Sequence, residues 1–177
     1  MEQKKNKLLS DMIQNDTDKK MVQLVEAATD LSCGDICTLL EVAHSLPFVG
    51  NLEGGDTYIN VLTREKESMV IAQYRHPNYD LYKRSIIGEI ERREDEPAVY
   101  RALEEGISGR GLIGIIDEGR TVVRHTVSPI LNSEKKVIGA LTYEYPNAGA
   151  DTESIRIINN QEAWKSQRLS SGCHSSL

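Results

Sequence analysis

The sequence lacks any apolar run long enough to cross a membrane. No stretch approaches the roughly 20 consecutive apolar residues that a spanning helix needs, and the opening Met-Glu-Gln-Lys-Lys lacks the hydrophobic segment of a secretory signal. Cysteine is also sparse, with 3 in 177 residues. An odd and low cysteine count favours reduced thiols over a disulfide framework. We therefore expect a cytoplasmic protein with no membrane partner.

Clustered positive charge is missing as well. The net charge is −6 and the basic residues are scattered; even Arg92-Arg93 lies between Glu91 and Glu94. Since a surface that binds phosphates needs grouped Lys and Arg, we expect no nucleic-acid partner. No phospho-acceptor helix or Gly-rich nucleotide-binding segment follows residue 150. The chain alone is therefore predicted to have no catalytic residues and no cofactor.

The stretch from residue 95 to 145 carries the strongest structural pattern. Pro97 suits the first turn of a helix, and Gly106 suits the left-handed position that ends one. Three strand-like runs follow, at residues 111–117, 121–131 and 136–145. Short polar connectors separate them, which predicts an antiparallel meander.

The residues before this stretch predict two helices and a hairpin. Asp16 or Thr17 can cap a helix that ends near Thr29. Ser32-x-x-Asp35 resembles a capping box and starts a second helix, which Pro47 is expected to end near residue 45. Strands are predicted at 57–63 and 68–75, while 85–93 fits a strand or a short helix. The expected fold is α+β, with a GAF/PAS-like antiparallel sheet of about five to six strands and helices packed on one face.

Three short segments resemble a known family. They are Glu96-Pro97-Ala98-Val99, Pro129-Ile130 and Lys136-Val137-Ile138-Gly139. In this order and spacing, the chain from residue 24 to 145 is similar to the N-terminal GAF-like sensor domain of cytoplasmic bacterial histidine kinases. That group includes ethanolamine-responsive sensor kinases whose response regulators act by antitermination.

The resemblance implies a sensory input domain of a two-component system. It implies a small-molecule ligand, a homodimer, and a response regulator reached through a kinase core that this chain does not contain. The expected organisation is a flexible or weakly helical N-terminus (1–16), a GAF-like sensor domain (17–149), and a linker or signalling helix with a tail (150–177). Two alternatives stay open: a purely structural dimerisation module, or a stand-alone GAF-fold enzyme such as a methionine-sulfoxide reductase.

The ligand pocket is expected between the sheet and the crossover segment 76–110. This segment begins with a long irregular stretch at 76–84, and loops this long tend to be functional. His125 falls on a mostly apolar strand face, so it is either a hydrogen-bonded core residue or a pocket residue. Aromatic and basic side chains would suit a small polar or anionic ligand. The predicted ligand-binding residues are Tyr74, His76, Tyr79, Tyr82, Arg101, Arg110 and His125.

Two other groups of residues could form a metal site, but each also has a purely structural explanation. Cys33 and Cys37 share a helix face with His44, a spacing that can supply metal ligands, but small buried thiols explain it as well. The acidic run from Glu89 to Glu96 can in principle do acid–base work or hold a cation. A solvated helix start accounts for it too. We therefore predict no metal site.

Overall fold

The computed structural model describes residues 2–78, 81–82, 84–116 and 121–147. Within these ranges the chain is α+β, with helices before and between the strands. The helices are α1 (Glu2–Met12), α2 (Asp16–Ala28), α3 (Cys33–Glu53) and α4 (Pro97–Glu105). The strands are β1 (Asp56–Leu62), β2 (Ser68–Tyr74), β3 (Ile90–Glu91), β4 (Gly109–Ile116), β5 (Thr121–Leu131) and β6 (Val137–Pro146).

All six strands form one antiparallel sheet in the order β3-β2-β1-β6-β5-β4. The meander predicted from the sequence is β4-β5-β6, and the predicted hairpin is β1-β2. Strands β1 and β6 pair with each other at the centre, so each is hydrogen-bonded along both edges. The ambiguous segment 85–93 contributes only the two-residue edge strand β3.

The helix ends follow local chemistry. Ser32 and Asp35 form the predicted capping box at the start of α3. Asn15 caps α2 by accepting a hydrogen bond from the Asp18 amide, one residue earlier than expected. Pro97 opens α4, and Gly106 closes it with a φ of 67°.

The predicted end of α3 at Pro47 is wrong, since the helix continues to Glu53. Proline removes one backbone donor and normally breaks a helix. Here the last turns are held by burial: Leu46 is 2% exposed, and a Cβ at Gly50 would lie 2.6 Å from the Tyr74 ring. The helix ends instead at Gly54, whose φ is 74°.

One face of the sheet packs against α2 and α3, and α1 joins the same apolar core through α3. Burying a side chain of this kind contributes about 1.5–3 kcal/mol. We call this the helix face. Its fully buried members include Val25, Leu39, Leu40, Ile59 and Ile71.

The opposite face is covered by α4 and by the segment that precedes it. Val99 and Ala102 of α4 pack on Val127 and Ala140, and Ile86 packs beside Tyr58 and Val70. This arrangement confirms the expected α+β architecture. None of the helices in the described ranges combines the length and the apolarity that crossing a membrane would require.

Candidate functional site

The face under α4 carries a row of buried polar side chains, which we call the polar face. Alternation along antiparallel strands places every second residue on one side of the sheet, and on this side the polar residues share the strands with the apolar Val70, Val127 and Ala140. Five of the six are fully buried, and His125 is 5% exposed. The row consists of Tyr58 and Asn60 on β1, Ser68 on β2, His125 on β5, and Thr142 and Glu144 on β6.

Glu144 is the centre of the polar face. Its Oε1 accepts a hydrogen bond from the Tyr58 hydroxyl at 3.0 Å, and its Oε2 accepts one from the Tyr82 hydroxyl at 2.6 Å. The two tyrosine rings meet edge to face, with centroids 6.2 Å apart. Both carboxylate oxygens are therefore held in place by donors.

His125 and Glu96 lie beside this carboxylate. The His125 Nδ1 is 3.6 Å from Glu144 Oε1 and 3.8 Å from Glu96 Oε2. Both distances exceed a normal hydrogen bond, and both His125 Nδ1 and Glu96 Oε2 are buried with no hydrogen-bond partner. Glu96 stands at the N-cap of α4 but makes no side-chain cap.

Glu91 adds a third carboxylate to the site. Its Oε2 accepts a hydrogen bond from Asn60 at 2.6 Å, and the Ser68 hydroxyl lies 3.4 Å away. The Tyr100 hydroxyl fixes this segment, because it accepts from the Ser68 amide and donates to the Glu91 carbonyl, each at 2.9 Å. The Arg93 guanidinium covers the Tyr100 ring at 4.2 Å.

Burial and mutual repulsion shift the ionisation of these groups. Burial, with the nearby Glu144 charge, raises the pKa of Glu91 to about 7. The same two causes, together with Glu91, raise the pKa of Glu96 well above its ordinary value. Burial and Glu144 also raise the pKa values of Tyr58 and Tyr82. The tyrosines therefore stay protonated and act as donors.

A cavity of about 310 Å³ opens beside the polar face. Tyr82, Glu91 and Glu96 line the cavity and also contact or adjoin residues of the polar face, so the cavity gives access to the carboxylate cluster. Apolar side chains from β3, β4 and the preceding segment complete the wall: Ile86, Ile90 and Ile116. A space of this size suits a small ligand.

The structure brings together two of the residues predicted to bind a ligand, Tyr82 and His125. Tyr74 packs against the helix face, where its hydroxyl donates to Asn51 at 2.8 Å. It lines a second cavity of about 340 Å³, which also includes Met21 and His44.

The other predicted residues make different contacts or lie outside the described residues. The His76 amide donates to Asp56 Oδ1 at 2.7 Å, and the His76 Nδ1 accepts from the Asn78 amide. Arg101 faces Glu105 one helical turn away, and Arg110 is exposed. Tyr79 lies outside the described residues.

Sequence reasoning missed the carboxylates at the centre of the site. The solvated interpretation of the acidic run is wrong for Glu96, whose side chain is only 16% exposed. Glu144 was also overlooked, although strand alternation from Ala140 through Thr142 placed it on a covered face. The alternation of side chains along this strand could therefore have identified Glu144 from the sequence.

The cysteine and histidine group does not assemble into a site. Cys37 is buried and Cys33 partly buried, while the His44 Nε2 lies 3.1 Å from Asp18 Oδ2. Burial raises the pKa of the Cys37 thiol, which is the opposite of an activated thiol. Within the described ranges, Glu96, His125 and Glu144 are the one cluster whose potential ligand atoms converge.

Fold and site together define a GAF-like domain with a polar pocket under one helix. Residues 21–163 match the family described as histidine kinase PdtaS, GAF domain. The match covers most of the chain, and the chain belongs to this family of histidine kinase sensor domains. A search of curated proteins found no match.

One solved structure shares the fold at low sequence identity. The sensor region of a sensor histidine kinase is similar with a TM-score of 0.56 and 15% identity, over 89% of this chain and 54% of that one. This chain therefore spans about half the length of that structure. The phycocyanobilin-bound GAF domain of a cyanobacterial phytochrome has a TM-score of 0.41 and 14% identity, over 92% of this chain and 100% of that one.

Proposed function

We propose that this domain binds a small molecule in the polar-face cavity and passes the signal to a histidine kinase core. The observation that carries the proposal is the unsatisfied pair in the pocket, His125 Nδ1 and Glu96 Oε2. Burying polar groups without partners costs free energy. A bound ligand that supplied the missing partners would recover that cost and so bind selectively to this state.

Transmission in this proposal runs through β1 and β6, which both faces share. Tyr58 points to the polar face, while its neighbour Ile59 is fully buried in the helix-face core. A ligand that repositions Glu144 or Tyr58 would therefore alter the packing of α2 and α3. For a large response, the ligand must bind one packing more tightly than the other by several kcal/mol.

The wider setting belongs to the same proposal. Residues 17–149 would act as the sensor domain and residues 150–177 as the connection to the kinase core, which phosphorylates a response regulator in the cytoplasm. We propose a homodimer that uses α3, where Phe48 and Leu52 are each 70% exposed and lie one turn apart. A monomeric full chain in sedimentation experiments would contradict this arrangement.

The two alternatives from the sequence receive less support. A filled structural module would leave no cavity beside the polar face. A methionine-sulfoxide reductase needs an activated thiol near the pocket, whereas the pKa of Cys37 is raised by burial and this residue packs on the helix face.

A thermal-shift panel of small metabolites tests the proposal. It includes ethanolamine, other amines, carboxylates and cyclic nucleotides, with the full chain as wild type, Tyr82→Phe and Tyr74→Phe. A true ligand at a hundredfold excess over its Kd adds about 2.7 kcal/mol to stability. We expect a dose-dependent rise that is weakened in Tyr82→Phe and kept in Tyr74→Phe. A flat panel, or a rise lost only in Tyr74→Phe, would contradict the proposed site.

A further inference from the structure

Three side chains from separate elements converge on one point of the polar face. Glu96 comes from the start of α4, His125 from β5 and Glu144 from β6, and their potential ligand atoms all lie within 4.8 Å of one another. The sequence separates these residues widely, so only the folded sheet creates the cluster. The carboxylates supply oxygen donors and the imidazole supplies a nitrogen donor.

Two of the converging atoms lack partners within the protein. His125 is 5% exposed, and its Nδ1 has no hydrogen bond. The Glu96 Oε2 is also buried and has no hydrogen-bond partner. Nearly all buried polar atoms in proteins are hydrogen-bonded, so an exception needs an explanation such as a bound ion. A cation between these atoms would satisfy both.

The third group is oriented by neighbours that leave lone pairs free. Each Glu144 oxygen accepts one tyrosine hydroxyl, from Tyr58 at 3.0 Å and from Tyr82 at 2.6 Å. A carboxylate oxygen has two acceptor positions, so each oxygen keeps one. Hydrogen bonds of this kind hold metal-ligating carboxylates in place in metalloproteins.

We propose that Glu96, His125 and Glu144 bind a divalent first-row transition-metal ion at the inner end of the polar-face cavity. Mixed imidazole and carboxylate donors suit such ions better than Mg²⁺, which prefers oxygen alone. Bond lengths of about 2.0–2.2 Å require the three atoms to close in by small side-chain rotations. The inference rests on the proposed function only in treating this cavity as the input site.

The cavity would let a small ligand reach the bound ion, which links the metal site to sensing. Three protein ligands leave at least one coordination position free in a tetrahedral site. Glu96 and Tyr82 line both the cluster and the cavity of about 310 Å³. A small molecule with an oxygen or nitrogen donor could therefore reach the ion from the cavity.

Calorimetric titration of the full chain tests the inference, with ZnCl₂ and MgCl₂ as probes after EDTA treatment and buffer exchange. The background carries Cys33→Ser, Cys37→Ser and Cys173→Ser, so that thiols cannot bind the metal. We expect one Zn²⁺ per chain and at least tenfold weaker binding of Mg²⁺. Glu96→Gln and His125→Gln should each weaken Zn²⁺ binding at least tenfold. His44→Gln is the matched histidine control and should leave the affinity unchanged.

Tyr82→Phe separates a built site from adventitious contact. Loss of an outer hydrogen bond to a ligand lowers metal affinity about 10- to 100-fold, and we expect a loss in that range. Melting curves confirm the fold of each variant. If His125→Gln does not fold, Glu96→Gln decides, since it replaces an oxygen that has no partner.

Three results would overturn the inference: no saturable Zn²⁺ binding, equal affinity in wild type and Glu96→Gln, or Mg²⁺ binding as tight as Zn²⁺. The failure of the proposed function is seen separately, in the metabolite panel. Zn²⁺ binding with a flat panel would reject the small-molecule sensor and keep the metal site. If a metabolite stabilises the chain but no metal binds, the metal site is rejected and the small-molecule sensor is kept.

Discussion

The two faces of the central sheet are both buried, yet they differ in chemistry, because the polar face adds buried carboxylates and hydroxyl groups to its apolar contacts. On β1, Ile59 enters an apolar core with Leu39 and Leu40, while the adjacent Tyr58 points to Glu144. The helix face gains free energy from every side chain that it buries. The polar face must satisfy or neutralise its charged groups. The comparison separates a face that stabilises the domain from a face suited to binding.

The largest effect is expected on the helix face, in Leu40→Ala. Leu40 is fully buried, and removing such a side chain costs about 2–5 kcal/mol because a cavity remains. Urea denaturation measures the loss. Glu41→Ala, at an exposed residue on the same helix, is the control and should change stability by less than about 0.5 kcal/mol. If both variants lost the same stability, the burial of Leu40 would not explain its effect.

The buried carboxylates beside the polar face should make the stability of the domain depend on pH. The pKa of Glu91 is about 7 in the folded chain against an ordinary 4.5, so the folded state holds this proton more tightly than the unfolded state. The free energy of unfolding should therefore fall as pH rises from about 4.5 to above 7, by roughly 3 kcal/mol from this group. Glu96 acts in the same direction.

Glu91→Gln should flatten that fall in EDTA-containing buffer, because the amide can still accept from Asn60 but does not ionise. Urea midpoints at several pH values give the slope. Exposed Glu65→Gln is the control and should retain the wild-type slope. Stability that increases across this pH interval would show that the buried carboxylates are ionised without penalty.

A smaller effect is expected when one hydrogen bond of the polar face is removed. Tyr58→Phe deletes the donor to Glu144 Oε1, and a buried hydrogen bond to a charged group contributes about 1.5–3 kcal/mol. Tyr74→Phe deletes a donor to Asn51 at the surface and should cost less than about 0.5 kcal/mol. Thermal denaturation of the pair provides the comparison. Similar costs would mean that Glu144 does not depend on the tyrosine.

The smallest expected effect is at the start of α3, in Ser32→Ala. The Ser32 hydroxyl accepts from the Asp35 amide at 3.3 Å, and losing such a cap costs about 0.5–2 kcal/mol. Loss of this cap frays only the first turn of α3 and leaves the rest of the helix packed on the sheet, so Zn²⁺ affinity should not change. Calorimetry on the folded variant checks this independence. A weakened affinity would show that Zn²⁺ binding depends on the first turn of α3.

The sequence predicted much of the fold because local signals agreed with tertiary packing. The caps at Ser32 and Gly106 and the three runs of the meander were visible in residue types alone. Pro47 shows the limit, since its local preference was outweighed by the burial of Leu46 and Gly50 against the sheet. That burial depends on strands more distant in the chain.

The site was only partly predictable. Tyr82 and His125 were placed near a pocket, but Glu96 and Glu144 were not. Their meeting depends on the register that sets His125 opposite Glu144 and on the entry angle of α4. Neither quantity can be read from one sequence. An acidic residue at a helix start is usually solvated, which made Glu96 look ordinary.

The most direct test of the account is a backbone NMR titration of the full chain with the compound that gives the largest thermal shift. Binding at the polar face predicts saturable shift changes at Tyr58, Glu96, His125 and Glu144, with smaller changes in α2 and α3. Saturable changes confined to Asp18, His44 and Tyr74 would place the ligand in the second cavity. That result would contradict the assignment of the polar face as the input site.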